Sequence, residues 1–86
     1  MYVILYKKSV DKDLRRLPKT HRQAIVKKIQ ALANDPRPVG IVKLHGSGDL
    51  FRMRHAEYRI IYRLDDGKLT VLVIKVGHRR EVHRDL

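Results

Sequence analysis

The sequence predicts an α+β fold: an N-terminal strand, an antiparallel helical hairpin, a three-stranded antiparallel meander forming a twisted sheet, and a short C-terminal helix or tail. Three observations lead to this prediction. The run Tyr2–Tyr6 is rich in β-branched and aromatic residues, as strands are. Apolar residues then recur at helical spacing up to about Ala33. Within Leu50–Val76, three segments have the alternating or apolar character of consecutive strands.

A short first helix is predicted after the N-terminal strand. Val10, Leu14 and Leu17 fall at positions i, i+4 and i+7 and form one apolar stripe. Ser9 is a suitable N-cap for this helix, because its hydroxyl can accept from a backbone N–H of the first turn. Pro18 ends the helix.

A second helix is predicted from Thr20 to about Ala33. The run Thr20-His21-Arg22-Gln23 has the spacing of a capping box. Ile25, Ile29 and Leu32 form its core stripe. Because only a few residues join the two helices, an antiparallel helical hairpin is expected.

The meander is predicted from three strands, at Leu50–Arg54, Tyr58–Leu64 and Leu69–Val76. Asp66-Gly67 between two apolar runs is a strong hairpin signal, and a two-residue turn there pairs Tyr62 with Val71 and Ile60 with Val73. These side chains share one face, which is the predicted core face.

The first and second meander strands are predicted to bring arginines together. Placing Phe51 and Met53 on the core face pairs Met53 with Ile60. Arg54 then lies opposite Arg59, and Arg52 lies close by on the same face. Like charges directly opposite each other destabilise a sheet, so the patch indicates an anionic partner.

The remaining segments allow two structures each. Ile41–Leu44 is predicted as an edge strand or as an extended lead-in to the sheet. Gly77–Leu86 is polar and is predicted as a short helix or as a tail. With 86 residues and one modest core, we expect a single domain.

The overall charge points to a polyanionic or acidic partner. The chain has a formal net charge of +11, and it has no cysteine for a disulfide, a thiol nucleophile or a Cys-based metal site. No apolar run approaches the roughly 20 residues of a membrane span. We therefore expect a cytoplasmic protein without a membrane partner.

The inventory of reactive side chains favours arginine and histidine chemistry. Asp65 and Asp66 are predicted turn residues rather than an acid–base pair. The histidines lack the i, i+4 spacing of a helical zinc site, and they are His21, His45, His55, His78 and His83. We expect neither a metal nor a small-molecule cofactor. Arginine with histidine suits cleavage of RNA by its own 2′-hydroxyl, and a nucleic-acid-binding patch without chemistry is the alternative.

Several motifs resemble the RelE branch of the RelE/ParE toxin superfamily. They are Leu50-Phe51-Arg52-Met53-Arg54, Glu57-Tyr58-Arg59-Ile60-Ile61-Tyr62, and Val73–Val76 followed by Gly77-His78-Arg79-Arg80-Glu81-Val82-His83. Lys43-Leu44 with Gly46 looks like the family's K-L-x-G entry to the sheet. The resemblance covers essentially the whole chain and implies that residues 1–86 form a single RelE-like toxin domain.

The resemblance implies a function and a set of catalytic residues. Members of this branch are toxins of toxin–antitoxin pairs that enter the ribosomal A site and cleave mRNA by 2′-hydroxyl attack. The matching positions in this sequence are Arg52, Arg54, Arg59, Arg79 and His83. Further basic residues are expected to bind RNA or the ribosome, and they are Lys19, Arg22, Lys27, Lys28, Lys43, Arg63 and Arg80. The implied partners are a cognate antitoxin, encoded by an adjacent gene, and the ribosome with its mRNA.

Two departures from the family pattern concern three positions. Arg52 and Arg54 stand where well-studied members have lysines, and arginine is a poor proton acceptor because its pKa exceeds about 12. His83 stands where a tyrosine is often found, so we assign it proton transfer, with His55 and His78 as substitutes. The alternatives are a ParE-like toxin that inhibits DNA gyrase without cleaving RNA, and an RNA-binding module without activity.

Overall fold

The computed structural model describes residues 1–44, 46 and 48–85, with backbone alone for 83–85, and it confirms the α+β class. The elements follow in the order β1 (Val3–Tyr6), α1 (Lys8–Arg15), α2 (Lys19–Ala31), β2 (Val42–Lys43), β3 (Leu50–His55), β4 (Tyr58–Asp65), β5 (Thr70–His78) and α3 (Arg79–Asp85). The N-terminal strand, two successive helices, meander and short C-terminal helix all occur as predicted. None of the helices in the described ranges is long and apolar enough to cross a membrane.

In the described part of the chain, the strands form one five-stranded sheet in the order β1-β5-β4-β3-β2. β1 runs parallel to β5, and the other neighbouring pairs are antiparallel. The Ile41–Leu44 segment therefore supplies an edge strand, β2, rather than only a lead-in. β1 closes the opposite edge through a pairing between residues more than sixty positions apart, such as Ile4 with Val71.

The hydrophobic core lies between one face of the sheet and the helices α1 and α2. Val10 of α1 and Ile25, Ile29 and Leu32 around α2 pack in one buried cluster with the strands. Each of these four side chains is completely buried. The predicted apolar stripes are thus the packing surfaces of the helices, as amphipathic periodicity requires. We call the sheet face turned away from this core the outer face.

The predicted register of β3 and β4 is confirmed. Met53 pairs with Ile60, Arg52 with Ile61, and Arg54 with Arg59. The connection is a two-residue loop in which Ala56 adopts a left-handed backbone conformation with φ of 51°. This tight turn holds the arginines of the two strands side by side.

The predicted register of β4 and β5 is wrong. Tyr62 pairs with Val73 and Ile60 with Val76, because the strands are joined by a four-residue turn at 66–69 and a bulge interrupts the ladder at Ile61/Tyr62. The turn does not use Asp66-Gly67 as its two central residues. Instead, the backbone N–H of Lys68 donates to Asp65 Oδ1 at 3.0 Å. The shift by two residues preserves the faces near the turn, so Tyr62 still points into the core.

The predicted helix caps are also wrong. α1 begins at Lys8, with Lys7 as N-cap, and α2 begins at Lys19, with Pro18 as N-cap; neither has a side-chain cap hydrogen bond. The Lys7 N–H donates to the Val73 carbonyl at 2.8 Å, so β1 leads directly into α1. The Pro18 carbonyl accepts from Arg22 N at 2.9 Å and starts α2 before Thr20. α2 ends at Ala31 rather than at Ala33.

The C-terminal helix lies against the outer face. Gly77 shares that face with its partner Arg59, and a Cβ atom added at Gly77 would meet Glu81 Oε2 at 3.1 Å and Val82 Cγ2 at 3.4 Å. Val82 and Ile61 are 2% and 1% exposed although neither belongs to the core on the helical side. Close packing of α3 at Gly77 therefore places its first residues beside the arginines of β3 and β4.

Candidate active site

An arginine cluster occupies the outer face at the β3–β4 hairpin. Arg54 and Arg59 are directly opposite each other, and Arg52 lies two residues along β3 on the same face. Arg79, the first residue of α3, completes the set, which we call the arginine cluster: Arg52, Arg54, Arg59 and Arg79. Four of the five predicted catalytic residues are thereby brought together.

Arg59 is the central member of the arginine cluster. Its Nη1 donates to the Tyr58 and Ala56 carbonyls, at 3.1 and 3.3 Å, which fixes the guanidinium against the hairpin. Burial lowers the pKa of Arg59, and the charges of Arg54, Arg52 and Arg79 lower it further, whereas Glu57 raises it. Three like charges therefore act on this partly buried side chain.

Glu57 is an acidic neighbour of the arginine cluster. Its Oε2 lies 3.0 Å from Arg79 Nε in an ion pair. Its backbone carbonyl also accepts from the Arg79 N–H at 2.8 Å. Glu57 falls between the predicted strands Leu50–Arg54 and Tyr58–Leu64. Its pairing with Arg79 depends on α3 folding back and has no local signal in the sequence.

A cluster of rings lies at the same end of the sheet. His55 Nε2 is 3.4 Å from His21 Nδ1, and the rings of Tyr58 and His21 are 5.0 Å apart. The ring of His78 meets Tyr58 edge-on. Burial lowers the pKa of His55, and Lys28 and His21 lower it further, so this imidazole is neutral at physiological pH. Cross-strand pairing puts His55 and Tyr58 on the core side of the sheet.

The predicted RNA- or ribosome-binding residues are spread over several surfaces. Lys19, Arg22, Lys27 and Lys28 belong to α2, on the core side of the sheet. Lys28 reaches the rim of the arginine cluster, where its Nζ donates to the Arg54 carbonyl at 3.2 Å.

Three further residues of that group lie on the sheet or on α3. Arg63 is on the outer face and forms an ion pair with Asp49 at 3.2 Å. Lys43 is an exposed residue of the edge strand β2, opposite Phe51. Arg80 is exposed on α3, and its backbone N–H donates to His78 Nδ1 at 3.2 Å.

Two predicted positions are only partly covered or not covered by the structure. His83 falls within α3, but its side chain lies outside the described part of the chain. His45 lies outside the described residues altogether. Among the residues that are described, no group of three or more His, Cys, Asp or Glu side chains has the arrangement of a metal site.

The arginine cluster can bind a phosphate and stabilise added negative charge on it. Guanidinium groups donate to phosphate oxygens in pairs, and such charge-assisted hydrogen bonds are about twice as strong as neutral ones. Arginine stays charged at physiological pH, so the cluster itself is unsuited to accept a proton. Proton transfer requires a different side chain.

Comparisons with known proteins agree on one family. The protein-family model described as "ParE toxin of type II toxin-antitoxin system, parDE" matches residues 4–83 of this chain. Toxin RelG of Mycobacterium tuberculosis is 30% identical over 84 residues, covering 96% of this chain and 97% of that protein. The mRNA interferase toxin RelE of Escherichia coli is 36% identical over 70 residues, covering 79% of this chain and 73% of that protein.

Solved structures have the same architecture. The archaeal RelE–RelB complex from Pyrococcus horikoshii contains a chain that matches with a TM-score of 0.81 and 31% identity, covering 91% of this chain and 94% of that one. The isolated E. coli RelE toxin matches with a TM-score of 0.79 and 28% identity over 100% of both chains. The five-stranded sheet and its helices are therefore a shared fold.

Proposed function

The chain belongs to the RelE/ParE superfamily of toxins from type II toxin–antitoxin systems, and on this premise we propose that it is the RNA-cleaving toxin of such a pair. Its proposed reaction is cleavage of mRNA in the ribosomal A site, without a metal ion, by attack of the RNA's own 2′-hydroxyl. Inhibition of translation follows from the loss of the message.

The observation that carries the proposal is the arginine cluster. Arg54 and Arg59 face each other across the hairpin, and the charges of Arg52, Arg54 and Arg79 all act on Arg59. A sheet that keeps like charges this close gives up stability. Binding of a phosphate that gains negative charge during the reaction explains why the positions are all basic.

The arginine cluster supplies charge stabilisation in the proposed mechanism. The 2′-oxygen attacks the adjacent phosphorus, the bond to the 5′-oxygen breaks, and the products are a 2′,3′-cyclic phosphate and a 5′-hydroxyl. The pentacovalent phosphorane carries extra negative charge, which Arg59 and its neighbours stabilise through paired N–H donors. Removing one such donor from an active site typically costs about 100- to 1000-fold in rate.

Proton transfer is assigned to histidine. His83 is the proposed acid or base, because imidazole exchanges protons near neutral pH and the position follows Arg79 by about one turn of helix. His55 is neutral at physiological pH but lies on the core side of the sheet. His78 remains the other substitute.

The proposed partner is an antitoxin that covers the basic surface. RelE chains occur with RelB in the solved complexes from P. horikoshii and E. coli. The net charge of +11 favours an acidic or amphipathic partner for this chain. The ribosome with its mRNA is the proposed target, which places the action in the cytoplasm.

An Arg59→Ala substitution tests the proposed function. We expect growth arrest and mRNA cleavage by the wild-type protein expressed from a tightly controlled promoter, and a loss of about 100-fold or more in cleavage by the variant. Primer extension on a reporter mRNA measures the cuts. Arg15→Ala is the matched control, since Arg15 forms its ion pair with Asp11 on α1. Equal cleavage by the wild-type and Arg59→Ala proteins would contradict the assignment.

A second candidate function is inhibition of DNA gyrase without RNA cleavage. It is favoured by the match to the ParE toxin model over residues 4–83. The arginine cluster argues against it, because contact with a protein does not need four guanidinium groups around one point. A supercoiling assay run beside the RNA assay separates the two activities.

A further inference from the structure

We propose that Glu57 is a positioning residue that holds the Arg79 guanidinium in the arginine cluster before RNA binds. This inference rests on the proposed function and assigns a role to one acidic side chain at the edge of a cluster of arginines. Its basis is the double attachment between Glu57 and Arg79. The side-chain ion pair measures 3.0 Å and the backbone hydrogen bond 2.8 Å.

Arg79 needs an anchor because of where it lies in the chain. It is the first residue of the seven-residue helix α3, and its side chain is about half exposed. Arg59, by contrast, is fixed by its own hairpin carbonyls. Positive charge on Arg52, Arg54 and Arg59 repels the Arg79 guanidinium, so without a counter-charge it would turn toward solvent.

The ion pair leaves a suitable part of the guanidinium for RNA. Glu57 contacts Nε, at one edge of the planar group. The outer pair of donors, Nη1 and Nη2, is not required for this contact and has the spacing to grip two phosphate oxygens. Glu57 therefore fixes the orientation of Arg79 without occupying its second edge.

Removal of the Glu57 charge should act differently on RNA affinity and on the rate of cleavage. Removing the Glu57 charge makes the arginine cluster more positive, so RNA affinity stays equal or rises. Loss of the ion pair frees Arg79, so the rate of the cleavage step falls. For a half-exposed pair we expect a loss of about fivefold in kcat, with KM unchanged or lower.

The test compares Glu57→Gln with Asp11→Asn in mRNA cleavage on ribosomes. Both variants remove one negative charge and one exposed ion pair, but Asp11 pairs with Arg15 on α1, away from the arginine cluster. We expect the kcat loss only in Glu57→Gln. In an Arg79→Ala background, the same Glu57→Gln change should have no further effect, because its action runs through Arg79.

A spectroscopic measurement in the free protein supports the kinetic test. The Nε–H signal of Arg79 should be protected from solvent exchange in the wild-type protein and should lose that protection in Glu57→Gln. If the wild-type protein cleaves mRNA and the Glu57→Gln variant has the same kcat, the positioning role alone is overturned. Losses that multiply in the double variant would overturn it in favour of direct action on the RNA. A wild-type protein that leaves mRNA intact would overturn the proposed function and this role together.

Discussion

At the scale of single residues, the β3–β4 hairpin combines two unfavourable features. Arg54 and Arg59 are directly opposite each other, and Ala56 between them has a φ of 51°, which favours glycine. The carbonyls of Ala56 and Tyr58 accept from Arg59 and offset part of the repulsion. Stability is thus given up at the residues that shape the proposed phosphate site, as is common at functional sites.

An Ala56→Gly substitution should stabilise the protein. Glycine adopts the left-handed conformation without the steric cost that alanine incurs, which is about 1–2 kcal/mol, although the unfolded chain gains entropy. We expect a net increase of about 0.5 kcal/mol in the free energy of unfolding, measured by urea denaturation. Ala24→Gly, inside helix α2, is the control and should lower stability by about 1 kcal/mol or more. A loss of stability in Ala56→Gly would contradict the strained turn.

Tyr62 should make stability depend on pH in the alkaline range. Its ring is fully buried, its hydroxyl donates to the Pro36 carbonyl at 2.8 Å, and burial raises its pKa from 10.0 to about 12. The folded and unfolded states both hold the proton below pH 10. Above pH 10 the unfolded chain releases it first, so stability falls as the pH rises through 12.

The expected alkaline loss attributable to Tyr62 is about 2 kcal/mol. Urea unfolding at pH 9 to 12 measures it against Tyr62→Phe. The variant should be less stable at neutral pH, because the Pro36 carbonyl loses its donor, but its stability should decline less steeply above pH 10. Parallel curves for the two proteins would contradict the assignment.

At the scale of elements, the sequence predicts pairing where one face alternates clearly. The β3–β4 register follows from Phe51 and Met53 pointing to the core and from a two-residue loop. In β5 the side chains on both faces are largely apolar. The alternation of polar and apolar residues therefore does not fix the register of β5, and it does not indicate the bulge at Ile61/Tyr62. The parallel pairing of β1 with β5 likewise depends on contacts between distant residues and has no local signal.

In the candidate site, too, the sequence predicts only what depends on the alternation of side chains along a strand. Arg52, Arg54 and Arg59 follow from strand register alone, and their proximity is confirmed. The position of Arg79 was implied by the family resemblance and depends on α3 folding back over Gly77. Its ion pair with Glu57 is a consequence of that packing, which no periodicity in the sequence encodes.

A Gly77→Val substitution should detach α3 from the outer face. A Cβ atom there would already lie 3.1 Å from Glu81 Oε2, and the valine methyl groups would extend further into the helix. We expect a loss of roughly 1–3 kcal/mol in stability from overpacking, together with at least tenfold slower mRNA cleavage as Arg79 moves. Gly48→Val is the control, because nothing lies within 4 Å of its Cβ position. Unchanged cleavage by Gly77→Val would show that α3 does not carry active residues.

At the scale of the whole molecule, the positive charge is distributed on both sides of the sheet. The arginine cluster lies on the outer face, whereas Lys19, Lys27 and Lys28 lie on α2 behind the sheet. This division suits a protein that binds one RNA phosphate at a defined point while contacting a larger polyanion around it. Contacts between the surrounding lysines and other phosphates of the polyanion position a protein without selecting a nucleotide sequence.

The most direct test places the purified wild-type protein in three parallel reactions: with mRNA on programmed ribosomes, with the same mRNA alone, and with gyrase and relaxed plasmid. The proposed function predicts cuts at the A-site codon on ribosomes that leave a 2′,3′-cyclic phosphate and a 5′-hydroxyl, with gyrase unaffected. Intact mRNA in both RNA reactions together with inhibited supercoiling would contradict the central claim that this protein is an RNA-cleaving toxin.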